Sequence, residues 1–258
     1  MSSIQFKIEE GVASITLNRP EVFNSFNKEM ALAMQARLDE CEDNDEVRAI
    51  YITGEGKAFC AGQDLQEVTD PNGPELTSIV RDHYNQIIER IRNIEKPIVA
   101  AVNGVAAGAG ANIAIACDVC VATESAKFIQ AFSMIGLIPD SGGTFTLPRL
   151  VGLQKASALM MLGDRVAAQE AERIGMIYKW FPDDQFTEES MAIAKRLAKM
   201  PTKGLGLTKR ALNLTMISDL STQLKVEEEL QTMAGQTYDY NEGVAAFLEK
   251  RKPEFKGK

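Results

Sequence analysis

The chain has 258 residues, 45% of them apolar and 25% charged, with a formal net charge of −8 at neutral pH. This is the balance of one globular domain, or of one domain with a small helical appendage, and the acidic excess argues against nucleic acid as a partner. No segment approaches the roughly 18 uninterrupted apolar residues of a membrane span, and MSSIQFKIEE lacks the basic start and apolar core of a signal peptide. A cytoplasmic protein without membrane contact is expected.

In chain order, alternating runs at 5–9 and 12–17 predict a β-hairpin, ended by Asn18, Arg19 and Pro20. Asn27 is the expected N-cap of a helix over 27–42 that sets Met30, Met34, Leu38 and Cys41 on one face. A continuous apolar strand at 47–53 leads into the glycine-punctuated loop GEGKAFCAGQDL. A helix over 75–94 precedes a second buried strand at 98–102. The small residues of GVAAGAGANIAIACD open a further helix, and a strand follows at 118–122. Beyond residue 150 the strand signal fades. Helices are expected at 153–162, 167–173, 185–199, 202–216, 221–235 and 241–249, with apolar positions suited to a partner subunit. Strand, helix and strand in succession predict an α/β fold with mostly parallel pairing.

Four cysteines lie at 41, 60, 117 and 120. Cys117 and Cys120 form a lone C-x-x-C, and with one histidine and no second cysteine pair they assemble no zinc site. Buried reduced thiols are expected, and no metal. The C-terminal EKRKPEFKGK is a candidate cluster for an anionic ligand, or a solvated basic tail.

GVAAGAGANIA fails the dinucleotide pattern, because Ile113 stands where the third glycine of Gly-x-Gly-x-x-Gly belongs. No Gly-Lys-Ser/Thr occurs. What remains is two loops, CAGQD and AAGAG, each ending a buried strand with small residues that leave peptide N–H groups uncovered. Two such groups can form an oxyanion hole for a polarised carbonyl, or the loops can serve only tight packing. Asp140 in GLIPDSGGTFTLPRLVG has two readings as well. It is either the N-cap of a following helix or a carboxylate placed to move a proton.

Five segments resemble the crotonase (enoyl-CoA hydratase/isomerase) superfamily. They are AFCAGQDL, KPIVAAVNGVAAGAGANIAIACDVCVAT, GLIPDSGGTFTLPRLVG, AAQEAERIGMI and EGVAAFLEKRKPEF, in order along essentially the whole chain. The resemblance implies a spiral of ββα units with a C-terminal helical oligomerisation region, divided at 1–200 and 201–258. It further implies a homotrimer or dimer of trimers, and an acyl-CoA thioester as ligand. CoA would enter as part of the substrate, with no separate cofactor. The oxyanion donors would be the backbone N–H groups of Gln63 and Ala109. Val22, Ala61, Asp64 and Leu65 would bind CoA, and Phe247 and Lys250 would reach the CoA of a neighbouring subunit.

The family's two hydratase glutamates fall on Asn112 and Phe132, which would then only line the substrate, since neither side chain titrates as an acid or base. Asp140 falls on a third acid position of the family. An aromatic dehalogenase role is disfavoured, because its histidine and tryptophan positions hold Asn85 and Phe132, and His83 is two residues off. One carboxylate and an oxyanion hole suit a 1,3-proton shift. Burial by Phe132, Ile138 and Phe145 is expected to raise the Asp140 pKa. The segment around Asp140 is most similar to the branch that converts ring-1,2-epoxyphenylacetyl-CoA to oxepin-CoA in phenylacetate breakdown. A Δ3,Δ2-enoyl-CoA isomerase, a hydratase using Asp140 with a bound water, and a non-catalytic CoA-binding scaffold are the alternatives.

Overall fold

The computed structural model describes residues 2–258. β1 (Ile4–Glu9) and β2 (Val12–Leu17) form the expected antiparallel hairpin. α1 (Lys28–Asp43) starts at Asn27, whose side chain accepts from the Met30 N–H, and it buries Met30, Met34, Leu38 and Cys41 as their spacing predicts.

The chain then coils through repeated turns of strand, short strand and helix. β3 (Ala49–Gly54) and β4 (Ala58–Cys60) lead to α2 (Leu65–Thr69). Next come α3 (Leu76–Ser78), a π-helical turn at Ile79–Tyr84 and α4 (Asn85–Asn93). β5 (Ile98–Val102) and β6 (Val105–Ala107) lead to α5 (Ala109–Ala116). β7 (Val119–Thr123) and β8 (Lys127–Ile129) lead to α6 (Gly143–Val151). Each turn gives its first strand to a six-stranded sheet of order β1-β2-β3-β5-β7-β10 and its second to a four-stranded sheet of order β4-β6-β8-β9. The large sheet is parallel from β2 onward, and in the small one β8 and β9 run antiparallel. This is the expected α/β spiral of ββα units.

α7 (Leu153–Leu162), β9 (Arg165–Ala167), α8 (Ala168–Arg173), β10 (Lys179–Phe181) and α9 (Phe186–Ala198) follow. The chain closes with α10 (Thr202–Thr215), α11 (Leu220–Gly235) and α12 (Tyr238–Glu249). Along β3, alternate residues enter different cores. Ile50 and Ile52 pack with Met34 and Leu38 of α1, whereas Ala49 and Tyr51 pack with Phe186 and Ala194 of α9. Burial on both faces explains why this strand reads as one continuous apolar run.

Several sequence expectations are corrected here. β4 lies inside the segment read as loop, and β6 lies in residues read as opening a helix. β9 and β10 continue strand structure past residue 150. Three-residue strands are too short to display alternation, so composition hides them. α12 begins at Tyr238 rather than 241, because Thr237 accepts from the Tyr240 N–H and caps it. The helix expected over 75–94 keeps its span but carries the π-helical turn.

All four cysteines are free and buried, and burial pushes the Cys41, Cys60 and Cys117 thiols up to about 12. Among the described residues no group of three or more His, Cys, Asp or Glu side chains is placed to hold a metal ion, and no helix is long and apolar enough to cross a membrane. One buried ion pair joins α10 to the spiral. Lys209 reaches Asp118 Oδ2 at 2.8 Å, and that oxygen also accepts from the Ile98 N–H at 2.9 Å. Arg92 Nη1 completes the group at 3.3 Å from Asp118 Oδ1.

Candidate active site

Two loops, each leaving a short strand of the small sheet, meet at one place. The first follows β4 and holds Ala61, Gly62 and Gln63; the second follows β6 and runs through Gly108 into α5. Gly62 has φ 95°, and a Cβ there would stand 3.1 Å from the Ala107 carbonyl oxygen and 3.6 Å from the Ala109 nitrogen. Glycine at 62 thus allows both the left-handed backbone and the approach of the loops. Among the described residues neither the Gln63 nor the Ala109 N–H donates a hydrogen bond. Ala109 opens α5, where the first N–H groups have no partner within the helix. Two uncommitted donors from two touching loops are the raw material of an oxyanion hole.

The first loop is clipped to the segment after the single 3₁₀ turn Pro20–Val22. The Ala61 N–H donates to the Phe23 carbonyl at 3.0 Å, Phe26 N–H to Gly62 at 2.7 Å, and Asp64 N–H to Phe26 at 2.9 Å. Val22 and Ala61 are half-buried, and Leu65 is exposed. Asp64 is itself structural. Its carboxylate accepts from the Gln66 N–H as N-cap of α2 and pairs with Arg19 at 2.8 Å.

Asp140 is set by a strained turn. Ser141 has φ 51° and Gly142 φ 70°, two left-handed residues in succession, the first of them not glycine. The Asp140 carbonyl accepts from the Gly143 N–H at 2.9 Å and from Asn112 Nδ2 at 2.9 Å. Its carboxylate Oδ1 accepts from the Ser141 hydroxyl at 2.8 Å. The cap residue of α6 is Gly142, with no side-chain cap, so the Asp140 carboxylate does not cap this helix. Its pKa lies above the ordinary carboxylate value because burial disfavours the charge, and the Ser141 hydrogen bond opposes this only in part.

The packing that buries it is not the expected set. Phe132 is 6% exposed, and its ring lies 3.7 Å from where a Cβ on Gly108 would stand. Ile138 is 81% exposed, and Phe145 turns outward with the Arg149 guanidinium 3.7 Å above its ring.

Asn112 is wholly buried, and both ends of its amide are engaged. Nδ2 holds the Asp140 carbonyl, and Oδ1 accepts from Gln130 Nε2 at 2.8 Å. Gly143 is needed beside it, since a Cβ there would fall 2.3 Å from Asn112 Nδ2. Sequence reasoning missed Gln130, Ser141 and Tyr84. The first two were marked only by lying next to residues already singled out. Tyr84 is wholly buried, donates to Gln63 Oε1 at 2.9 Å, and feels the charge of Asp140. It thereby ties the first loop to the π-helical turn.

His83 is buried on the π-helical turn, with burial pulling its pKa below the usual imidazole value. The charges that reach it belong to Glu67, Lys28 and Asp82 rather than to Asp140. Asn85 begins α4. Phe247, 82% exposed, and Lys250, at the left-handed end of α12, are not among the residues gathered around Asp140.

Comparison with known proteins supplies the context for this geometry. A family model described as enoyl-CoA hydratase/isomerase matches residues 7–258. The chain is 46% identical to 1,2-epoxyphenylacetyl-CoA isomerase of Escherichia coli K12, with 100% of both chains covered. It is 43% identical to a protein of Rhodobacter capsulatus named "Probable enoyl-CoA hydratase", covering 99% of this chain and 98% of that one. The crystal structure of an enoyl-CoA hydratase from Polaromonas sp. JS666 superposes with a TM-score of 0.91 at 34% identity, covering 98% and 99% of the two chains.

Proposed function

The chain belongs to the enoyl-CoA hydratase/isomerase family, and from that premise we propose that it is an acyl-CoA isomerase that moves one proton by a 1,3-shift through Asp140. The carrying observation is the division of labour around that residue. Asp140 offers a desolvated carboxylate, while Asn112 and Phe132, the positions of the hydratase glutamates, hold no acid or base. The Gln63 and Ala109 N–H groups receive the thioester oxygen as negative charge develops on it, and each such donor lowers the barrier by roughly 3 kcal/mol.

Asp140 as carboxylate takes a proton from the acyl α-carbon, leaving an enolate in the oxyanion hole. The resulting carboxylic acid returns that proton two carbons away, so the group ends ionised as it began. For a 3-enoyl-CoA the double bond moves from C3–C4 to C2–C3, into conjugation with the thioester. For ring-1,2-epoxyphenylacetyl-CoA the same transfer accompanies opening of the epoxide to the seven-membered oxepin. The 46% identity to an isomerase of that substrate supports the aromatic thioester in phenylacetate breakdown as substrate, with the aliphatic 3-enoyl-CoA second.

CoA is part of the substrate, and the shift consumes no separate cofactor. Val22, Ala61 and Leu65 form the proposed CoA edge, and Asp64 holds it in place through Arg19 and the Gln66 N–H. Phe247 and Lys250 would serve a neighbouring subunit of a trimer or dimer of trimers. Exposed Ile217, Leu220 and Leu248 on or beside the C-terminal helices support self-association.

The test is Asp140→Asn assayed with a 3-enoyl-CoA and with the ring epoxide. Loss of both isomerisations by about a thousandfold is expected. Isomerisation near the wild-type rate overturns the proposal. Rapid hydration of a 2-enoyl-CoA by wild type would move the reading to a hydratase.

A further inference from the structure

Gln63 is held by more than its backbone. Its Nε2 donates to Glu67 Oε2 at 2.9 Å, and its Oε1 accepts from the Tyr84 hydroxyl at 2.9 Å. The orientation of the amide is forced, because a carboxylate only accepts, so the NH₂ end must face Glu67 and the phenol must donate. Glu67 is anchored in turn, its Oε1 accepting from the Lys28 N–H at 2.9 Å. Tyr84 stands edge-on to Phe26 with ring centroids 5.9 Å apart, and it ends the π-helical turn. Such a turn breaks the 3.6-residue register of the helix, and π-turns are frequent at functional sites. Burial, aided by the negative charges of Asp140 and Glu67, keeps the phenol protonated and therefore a donor.

The peptide that carries the Gln63 N–H follows Gly62, whose left-handed backbone at φ 95° only glycine adopts without strain. On one side it is held by the Phe26 N–H on the Gly62 carbonyl. On the other side the Asp64 N–H holds the Phe26 carbonyl at 2.9 Å, and the Gln63 side chain adds a third tie. We propose that Tyr84 is a positioning residue for the oxyanion hole, its hydroxyl clamping the Gln63 side chain against Glu67 and thereby fixing the direction of the Gln63 N–H. This role rests on the thioester reading of the site.

Phenylacetyl-CoA labelled with ¹³C at the thioester carbonyl is the probe, because it binds without an epoxide to rearrange. Infrared difference spectra of the wild type should show the carbonyl stretch lowered on binding, as donors polarise it. Tyr84→Phe keeps the ring and should recover much of the free-ligand frequency. In turnover it should lower kcat about tenfold, with KM within about twofold, since the lost interaction is made chiefly in the transition state.

Gln63→Met keeps the N–H but removes the amide, and Tyr84→Phe should cost nothing further in that background. A wild-type carbonyl shift retained in full by Tyr84→Phe, or losses that add in the double variant, would overturn the clamp alone. Absence of any shift in the wild type would overturn the thioester reading and the clamp with it.

Discussion

Asn112 donates from Nδ2 to the backbone carbonyl of Asp140 at 2.9 Å, so the amide at one candidate position holds the carboxylate-bearing turn at another. Because Oδ1 is bound to Gln130, the amide has no freedom to flip. Asn112→Asp keeps the shape but sets an acceptor against an acceptor. A stability loss of about 2–3 kcal/mol in urea unfolding is expected, with kcat falling by tenfold or more as the turn shifts. A loss below about 0.5 kcal/mol would mean that the contact does not hold the turn.

The raised pKa of Asp140 has consequences of opposite sign for rate and stability. As a base it must be ionised, so kcat/KM should rise with pH along a limb whose midpoint lies above the ordinary carboxylate value of about 4. A folded-state pKa above the unfolded one contributes stability below the unfolded pKa, and that stability is lost as pH rises through the folded pKa. Asp140→Asn should therefore melt higher than wild type at neutral pH, by about 2 °C. The difference should vanish in acid. Thermal melts across this range, beside the rate profile, check both signs.

Ser141 both donates to Asp140 Oδ1 and holds a left-handed backbone. Its hydroxyl favours the charged carboxylate, so in Ser141→Ala the acidic limb of the rate profile should move to higher pH. Ser141→Gly should move the limb alike and unfold about 1 kcal/mol less readily than the alanine variant, because glycine occupies this conformation without strain. An unmoved limb in both variants would dissociate Ser141 from the titration.

Lys209 is 6% exposed and paired with Asp118 far along the chain. Lys209→Met removes the cation from a buried pair and should destabilise the protein by about 3 kcal/mol, with activity per folded molecule unchanged. Denaturant titration followed by active-site-normalised assay separates the two quantities.

Much of the spiral was legible from sequence, for identifiable reasons. The hairpin and α1 follow from alternation, from Asn27 as a cap, and from Met30, Met34, Leu38 and Cys41 at helical spacing. The strands of the small sheet were not, because β4, β6, β8 and β9 each have three residues and no pattern of that length is diagnostic. At the site, the resemblance drew attention to Asp140 and to Asn112. It carried no sign that Asn112 faces two protein partners, since pairing across 28 residues leaves no local trace. Tyr84 stands three residues before Ile87 on the buried stripe that includes Ile91, so its spacing marks it only as a core position.

The closeness of Gly143 to Asn112 bears on how such a site changes over generations. A longer acid at 112 would crowd Gly143 and remove the donor that holds the Asp140 carbonyl, while Phe132 would still provide no second acid. Each single replacement on the way to a two-glutamate site thus damages the existing chemistry before any new chemistry exists. Positions 112, 130, 140 and 143 touch one another, so substitutions among them are expected to be non-additive.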